Sequence, residues 1–193
     1  MKIKLILCFL VVFLSACRAP VEEMSNIDPE YSSDGISSFY LQLNCSEAEV
    51  TELKESYVKD YCALLKMQML STIGKKHPQW QLAATEKQSE LFIDAKLEQL
   101  YGGNQALRFF LPIEAGRTML TLHFSVYKNS LLVAERRLTE ITRRIHFEDE
   151  KYTNEEAISE DSNKMAGYVS DYIDNPTAFD KKMKAYYNGY TPH

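Results

Sequence analysis

Arg108 and Arg117 flank the short bend "FFLPIEAG", and two guanidinium groups so placed could receive a partner's carboxylate through paired N–H donors. An internal pair with Glu114 or a neighbouring strand is the plainer role for the same residues. The other chemistry-bearing side chains do not assemble. His77, His123, His146 and His193 are scattered, none at a ligand spacing such as H-x3-H. His123, beside Phe124, is expected at a strand surface or core edge. Residues 147–161, "FEDEKYTNEEAISED", are rich in carboxylates but lack the glycine and the spacing of a calcium loop. Acidic side chains there suit the start of a helix. No glycine loop of the phosphate-cradling kind occurs, Gly102-Gly103 reads as a turn, and no G-x-S-x-G elbow is present. The expectation is a non-catalytic protein with no metal and no cofactor.

The cysteines point to a compartment. Lys2 and Lys4 precede an apolar run from Leu5 to Leu14, followed by the small residues Ser15 and Ala16. That is the pattern of a secretory signal. The run is far shorter than the roughly 20 apolar residues a spanning helix needs. Leu14-Ser15-Ala16-Cys17 resembles the lipobox of bacterial lipoproteins. The resemblance implies cleavage before Cys17, acylation of its thiol and of its new amino group, and a protein held in the membrane by acyl chains. Two or more chains anchor stably where one holds only marginally. Arg18 follows the cysteine; an aspartate there would favour inner-membrane retention in that class. The implied location is therefore the periplasmic side of the outer membrane rather than the inner.

Cleavage would leave 177 residues, enough for one domain and a tether. At 45% apolar and 11% aromatic the chain can fill a core. Its formal charge is −5, with 22 basic and 27 acidic residues. Without Lys2 and Lys4 the balance is 20 against 27, or −7, a poor match for nucleic acid, which is bound through cations.

Residues 18–38 are polar, with Pro20, Pro29, Gly35 and the run "YSSDGISS", and read as a flexible tether. "FYLQLNC" alternates as a half-buried strand. Ser46 and Glu49 form a capping-box pattern, and Val50, Leu53, Tyr57, Tyr61, Leu64 and Gln68 follow at helical spacing. The spacing predicts a helix over residues 47–73, stopped by Gly74. On such a helix Cys62 lies about 25 Å along the axis from Cys45. A disulfide wants its α-carbons within about 7 Å. The two cysteines are therefore expected as free thiols, buried or partly so, although the compartment would permit a bridge.

A short strand is expected at Trp80 and Leu82. A longer one carries Leu91, Ile93, Ala95 and Leu97 on one face, and a third, interrupted by Pro112, occupies residues 107–113. Residues 117–143 read as a hairpin turning near Lys128-Asn129-Ser130, with Leu132, Ala134 and Leu138 on the inner face of its return strand. Arg136-Arg137 and Arg143-Arg144 point to opposite sides within each pair. Thr153 and Glu156 form a second capping box ahead of Ile158, Met165, Val169 and Tyr172. Asn175-Pro176 breaks that helix and starts another, lined by Phe179, Met183 and Tyr186 and ended by Gly189. Lys181, Lys182 and Lys184 lie opposite, where they could meet anionic lipid, although packing on the domain is the simpler use of so short a helix. The predicted fold class is α+β: two layers, a mostly antiparallel sheet of about five strands, and helices packed on one face. The predicted organisation is a signal over residues 1–16, a lipidated tether over 17–38 and one domain over 39–193.

Gly103 to Arg108, Ala115-Gly116 and the hairpin strands starting at Arg117 and Leu131 resemble a family of small bacterial envelope lipoprotein domains without assigned activity. The resemblance spans residues 91–144, and Pro112 and Glu114 stand where that family has glycines. It implies an envelope lipoprotein with a small α+β domain, an unknown partner and no catalysis; the partner expected here is another envelope protein. The expected function is a lipid-anchored, non-catalytic interaction module in the periplasm. The alternative is a carrier of a small apolar ligand or lipid held between sheet and helix, suggested by the Tyr- and Met-rich helical faces.

Overall fold

From Leu91 onward aliphatic and polar residues alternate, and this period of two makes the strand on which the whole sheet is organised. The computed structural model describes residues 25–51, 53, 55–102, 118–142 and 154–188. In chain order the strands are β1 (Ser25–Ile27), β2 (Ser38–Asn44), β3 (Glu49–Thr51), β4 (Gln81–Leu82), β5 (Leu91–Tyr101), β6 (Thr118–Lys128) and β7 (Leu131–Thr142). The helices are α1 (Glu55–Lys76), between β3 and β4, and α2 (Asn154–Asp174) and α3 (Pro176–Asn188), which follow β7. The fold is α+β, with a mixed seven-stranded sheet in the order β1-β7-β6-β5-β2-β4, and β3 pairing β5 beyond the end of β2.

The sheet exceeds the expected five strands and, as expected, is mostly though not purely antiparallel. β5, β6 and β7 form an antiparallel meander, and β1 adds antiparallel to β7. β2 and β3 run parallel to β5, and β4 parallel to β2. The reason is α1: a 22-residue helix carries the chain back along the sheet, so the next long strand enters in the direction β2 took.

Leu41 on β2, Leu91, Ile93, Ala95 and Leu97 on β5, Leu120, Leu122, Phe124 and Val126 on β6, and Leu138 on β7 share one face and are almost wholly buried. Tyr61, Leu65, Met69 and Ile73 of α1 and Met165, Ala166, Val169 and Tyr172 of α2 join them in one core. Phe124 meets Tyr172 edge-on at 5.3 Å, and Tyr172 meets Phe179 of α3 at 5.6 Å. The side chains of α1 that reach the core recur every fourth residue from Tyr61, not along the expected row through Leu64 and Gln68.

Several other expectations are corrected. The helix begins at Glu55, not residue 47, because Glu49–Thr51 pairs with the far end of β5. Ser46 gives no helix cap; its N–H and its hydroxyl both donate to Asn44 Oδ1, at 2.9 Å. Gly74 lies inside the helix, which runs on to Lys76, just before His77 and Pro78, and a residue ahead of proline is biased away from helical geometry. The segment read as a tether holds β1 and the buried Ile36, and its Tyr31 hydroxyl donates to the Ile173 carbonyl at 2.7 Å. Residues 25–38 therefore belong to the domain. Leu132 faces outward rather than inward. A bulge between Val126 and Tyr127 sets Leu132 opposite Tyr127 and Ala134 opposite Val126, shifting the pleat by one.

Other readings hold. The hairpin turns at Asn129 and Ser130, both at positive φ, as a two-residue loop of the primed kind requires. α3 starts at Pro176, with Asn175 accepting the Ala178 N–H at 2.9 Å. Arg136 and Arg137 point to opposite faces, the first into the core beside Asp180 and the second outward to Glu98, each at 2.6 Å. The expected strand over 107–113, Gly103, Arg143-Arg144, Thr153 and Gly189 lie outside the described residues.

Candidate functional site

The sheet face opposite the helices carries a transverse row of rings. Tyr40 of β2 stacks on Phe92 of β5 at 6.0 Å, and Phe92 on Tyr127 of β6 at 5.5 Å. Register explains the row: Tyr40 is paired with Phe92, Phe92 with Tyr127, and Tyr127 with Leu132 of β7. All three rings are half-buried, while Leu132 is 45% exposed and its neighbour Leu131 71% exposed. Towards the other end of β5 the same face is polar. His123 Nε2 lies 3.0 Å from Glu135 Oε1, and Thr121 and Thr139 share a hydroxyl contact at 3.1 Å. His123 is thus a strand-surface residue, as expected.

A second feature sits at the edge of the sheet. Cys45, just past β2, and Cys62, on the second turn of α1, form a disulfide with their α-carbons 6.3 Å apart. This overturns the expectation of free thiols: with the helix starting at Glu55, the chain from Cys45 folds back instead of running out along an axis. The bridge lines a cleft of about 760 Å³ between the segment around β3 and the first turns of α1. Ala48, Val50, Leu53, Val58 and Ala63 supply apolar wall, and Lys59 and Lys66 are its cations.

Two clusters of ionisable groups tie helices together. At the ends of α1 and α2, Lys76 lies 2.9 Å from Asp171 and 2.6 Å from Asp174, and His77 stacks on Trp80 at 3.7 Å. His77 Nε2 lies 2.8 Å from Asp174 Oδ1, a charge contact without good hydrogen-bond alignment. Desolvation holds this imidazole below its ordinary pKa, outweighing the pull of Asp174. At the opposite end of α2, Asp161 is buried and accepts the Thr118 hydroxyl at 2.6 Å. Burial pushes its carboxyl up to about 7, against the opposing hydrogen bond from Thr118. Nearby, Ser162 donates to the Tyr61 hydroxyl at 2.7 Å. These contacts fasten α2 to α1 and to β6; none presents a nucleophile with a base beside it.

Cys17, Arg108 and Arg117, the lipidation and interaction residues expected from sequence, lie outside the described residues. His77 lies against Asp174 and His123 against Glu135, and no group of three metal-ligating side chains occurs among the described residues. No helix among them is long and apolar enough to cross a membrane. Sequence reasoning missed the ring row, although Tyr40, Phe92 and Tyr127 each sit at an outward position of a recognised strand. Only the register aligns them.

No protein-family model and no curated protein matches this chain. Several solved structures of bacterial proteins are similar to it. A hypothetical protein from Chlamydia trachomatis aligns at 7% identity over 72% of this chain and 98% of its own, with a TM-score of 0.49. The PelC dodecamer protein of Paraburkholderia phytofirmans aligns at 7% identity over 79% and 96%, with a TM-score of 0.45. A DUF4136 family protein from Bacteroides thetaiotaomicron aligns at 12% identity over 79% and 97%, with a TM-score of 0.36. Likeness at this level transfers neither family nor activity.

Proposed function

We propose that the protein is a lipid-anchored, non-catalytic interaction module: a two-layer domain tethered through acylated Cys17 on the periplasmic side of the outer membrane, meeting another envelope protein. The observation that carries the reading is the ring row. One sheet face is filled by core; the other sets Tyr40, Phe92 and Tyr127 side by side, with Leu132 at their end. Aromatic rings of this kind are the residues most enriched where protein interfaces draw their energy. The carrier alternative gains nothing from the space between sheet and helices, where Leu65, Met69, Ile93 and Phe124 leave no exposed surface.

Two measurements test the proposal. Palmitate labelling of intact cells should be lost in Cys17→Ser; persistent labelling removes the anchor. A photoreactive residue at Tyr127 should give a discrete envelope-protein adduct in membranes, abolished by Phe92→Ser, while the same probe at Asn163 on α2 gives none. Equal adducts from both positions, or none from Tyr127, would end the interaction reading.

A further inference from the structure

The cleft beside the Cys45–Cys62 bridge lies on a different surface from the ring row and carries an inference independent of the interaction reading. Its volume, about 760 Å³, falls within the roughly 300–1,000 Å³ typical of small-molecule sites. Its two walls differ in origin. Ala48, Val50 and Leu53 come from the segment that leaves β2, and Val58 and Ala63 from α1. The disulfide joins those walls covalently, so the cleft keeps its width without a ligand, which lowers the ordering cost of filling it.

Charge gives the cleft a polarity. The chain is acidic overall, yet among the described residues that line the cleft there is no carboxylate. Two acids near it are engaged elsewhere: Glu47 by the Lys96 ammonium, which holds its carboxyl below the usual range, and Glu49 by the Gln99 amide at 3.2 Å. Lys59 and Lys66 are both exposed, and neither makes an ion pair among the described residues. Seven residues apart on α1, they stand two turns apart along one side of the helix, about 10 Å. An apolar trough with unpaired ammonium groups along one wall suits a molecule with one greasy chain and one anionic end.

We propose that this cleft binds a free fatty acid, its chain along Val50, Leu53 and Val58 and its carboxylate at Lys59 or Lys66. Apolar burial supplies affinity, at roughly fourfold per methylene taken from water. The ammonium groups set orientation and select the anion over the alcohol of the same length. A lysine meets a carboxylate as a mobile point charge, so arginine can replace it in sign though not in geometry.

The test uses the full chain in phosphatidylcholine nanodiscs with a diazirine-bearing hexadecanoate as photoprobe, the adducts being mapped by peptide mass spectrometry. Adducts are expected within residues 45–66. Excess hexadecanoate should suppress them at least about tenfold better than hexadecanol, the difference a hydrogen bond to a charged group provides. Lys59→Glu with Lys66→Glu should lower labelling about tenfold or more, and Lys59→Arg with Lys66→Arg should restore most of it. Both pairs are exposed changes, and an intact Cys45–Cys62 peptide link verifies folding in each. Adducts spread evenly over the protein, labelling indifferent to the glutamates, or equal competition by the alcohol would overturn the proposal.

Discussion

The two faces of the sheet are made from the same strands, residue by residue in alternation, and are held by different physics. The inner face is aliphatic with a few aromatics, nearly all below 2% exposure, and its stability comes from area removed from water and from close packing. The outer face is stitched by ring contacts and by polar pairs such as Arg137 with Glu98 and His123 with Glu135, all partly wet. Where the same type of interaction occurs on both faces, burial decides its worth. The lesson is that the outer face tolerates change and is therefore free to carry function, while the inner face is not.

The sharpest way to break this comparison is to truncate one phenylalanine on each side. Phe124→Ala, which removes a fully buried ring from against Tyr172, should cost about 3–5 kcal/mol in urea unfolding. Phe92→Ala, which removes the middle ring of the outer row, should cost about 1 kcal/mol or less. Equal losses would show that the outer row is part of the core.

Asp161 tests the inner face by pH. Its folded pKa, about 7, lies above that of the unfolded chain, so the folded state holds the extra proton between pH 4 and 7 and stability falls as pH rises through that window. Asp161→Asn, which keeps an acceptor for the Thr118 hydroxyl, should gain on the wild type by about 2–4 kcal/mol between those limits and no further above them. A constant difference from pH 4 to 8 would refute the assignment.

The arginines come next. Arg136→Ala leaves Asp180 without the cation that sits 2.6 Å away over the Phe179 ring, and should cost about 3 kcal/mol. Arg137→Ala breaks an ion pair of the same length on the wet face, and should cost less than about 1 kcal/mol. Double-mutant cycles with Asp180 and Glu98 would sharpen the contrast. A comparably small effect belongs to the turn, which sits on neither face. Ser130→Gly removes a β-carbon from a residue at φ 66° and should raise stability by about 1 kcal/mol, read as a higher urea midpoint.

What was legible beforehand follows the range of the interaction. β5, the Asn129-Ser130 turn and the Asn175-Pro176 break all rest on neighbours within a few residues, and all appear where periodicity and turn chemistry place them. The start of α1 was misplaced because Ser46 and Glu49 satisfy a local capping pattern, while the force that moves them, pairing of Glu49 with Gln99, comes from fifty residues away. The disulfide was lost with it. Leu132 went to the wrong side because one bulge displaces every outward and inward assignment beyond it. The cleft and the ring row were out of reach for the same reason: each is assembled from segments that meet only across the sheet.

By itself, the order of residues determined the alternating strands, the acidic balance, the break before α3 and the opposite facing of Arg136 and Arg137, because periodicity and backbone restriction act locally. Tertiary structure alone decided that β2 runs parallel to β5, that Cys45 meets Cys62, and that three rings from three strands stand in line. Those outcomes depend on register and on the return path of a helix, and long-range contacts of that kind are chosen by the burial of the whole core rather than by any short stretch of it.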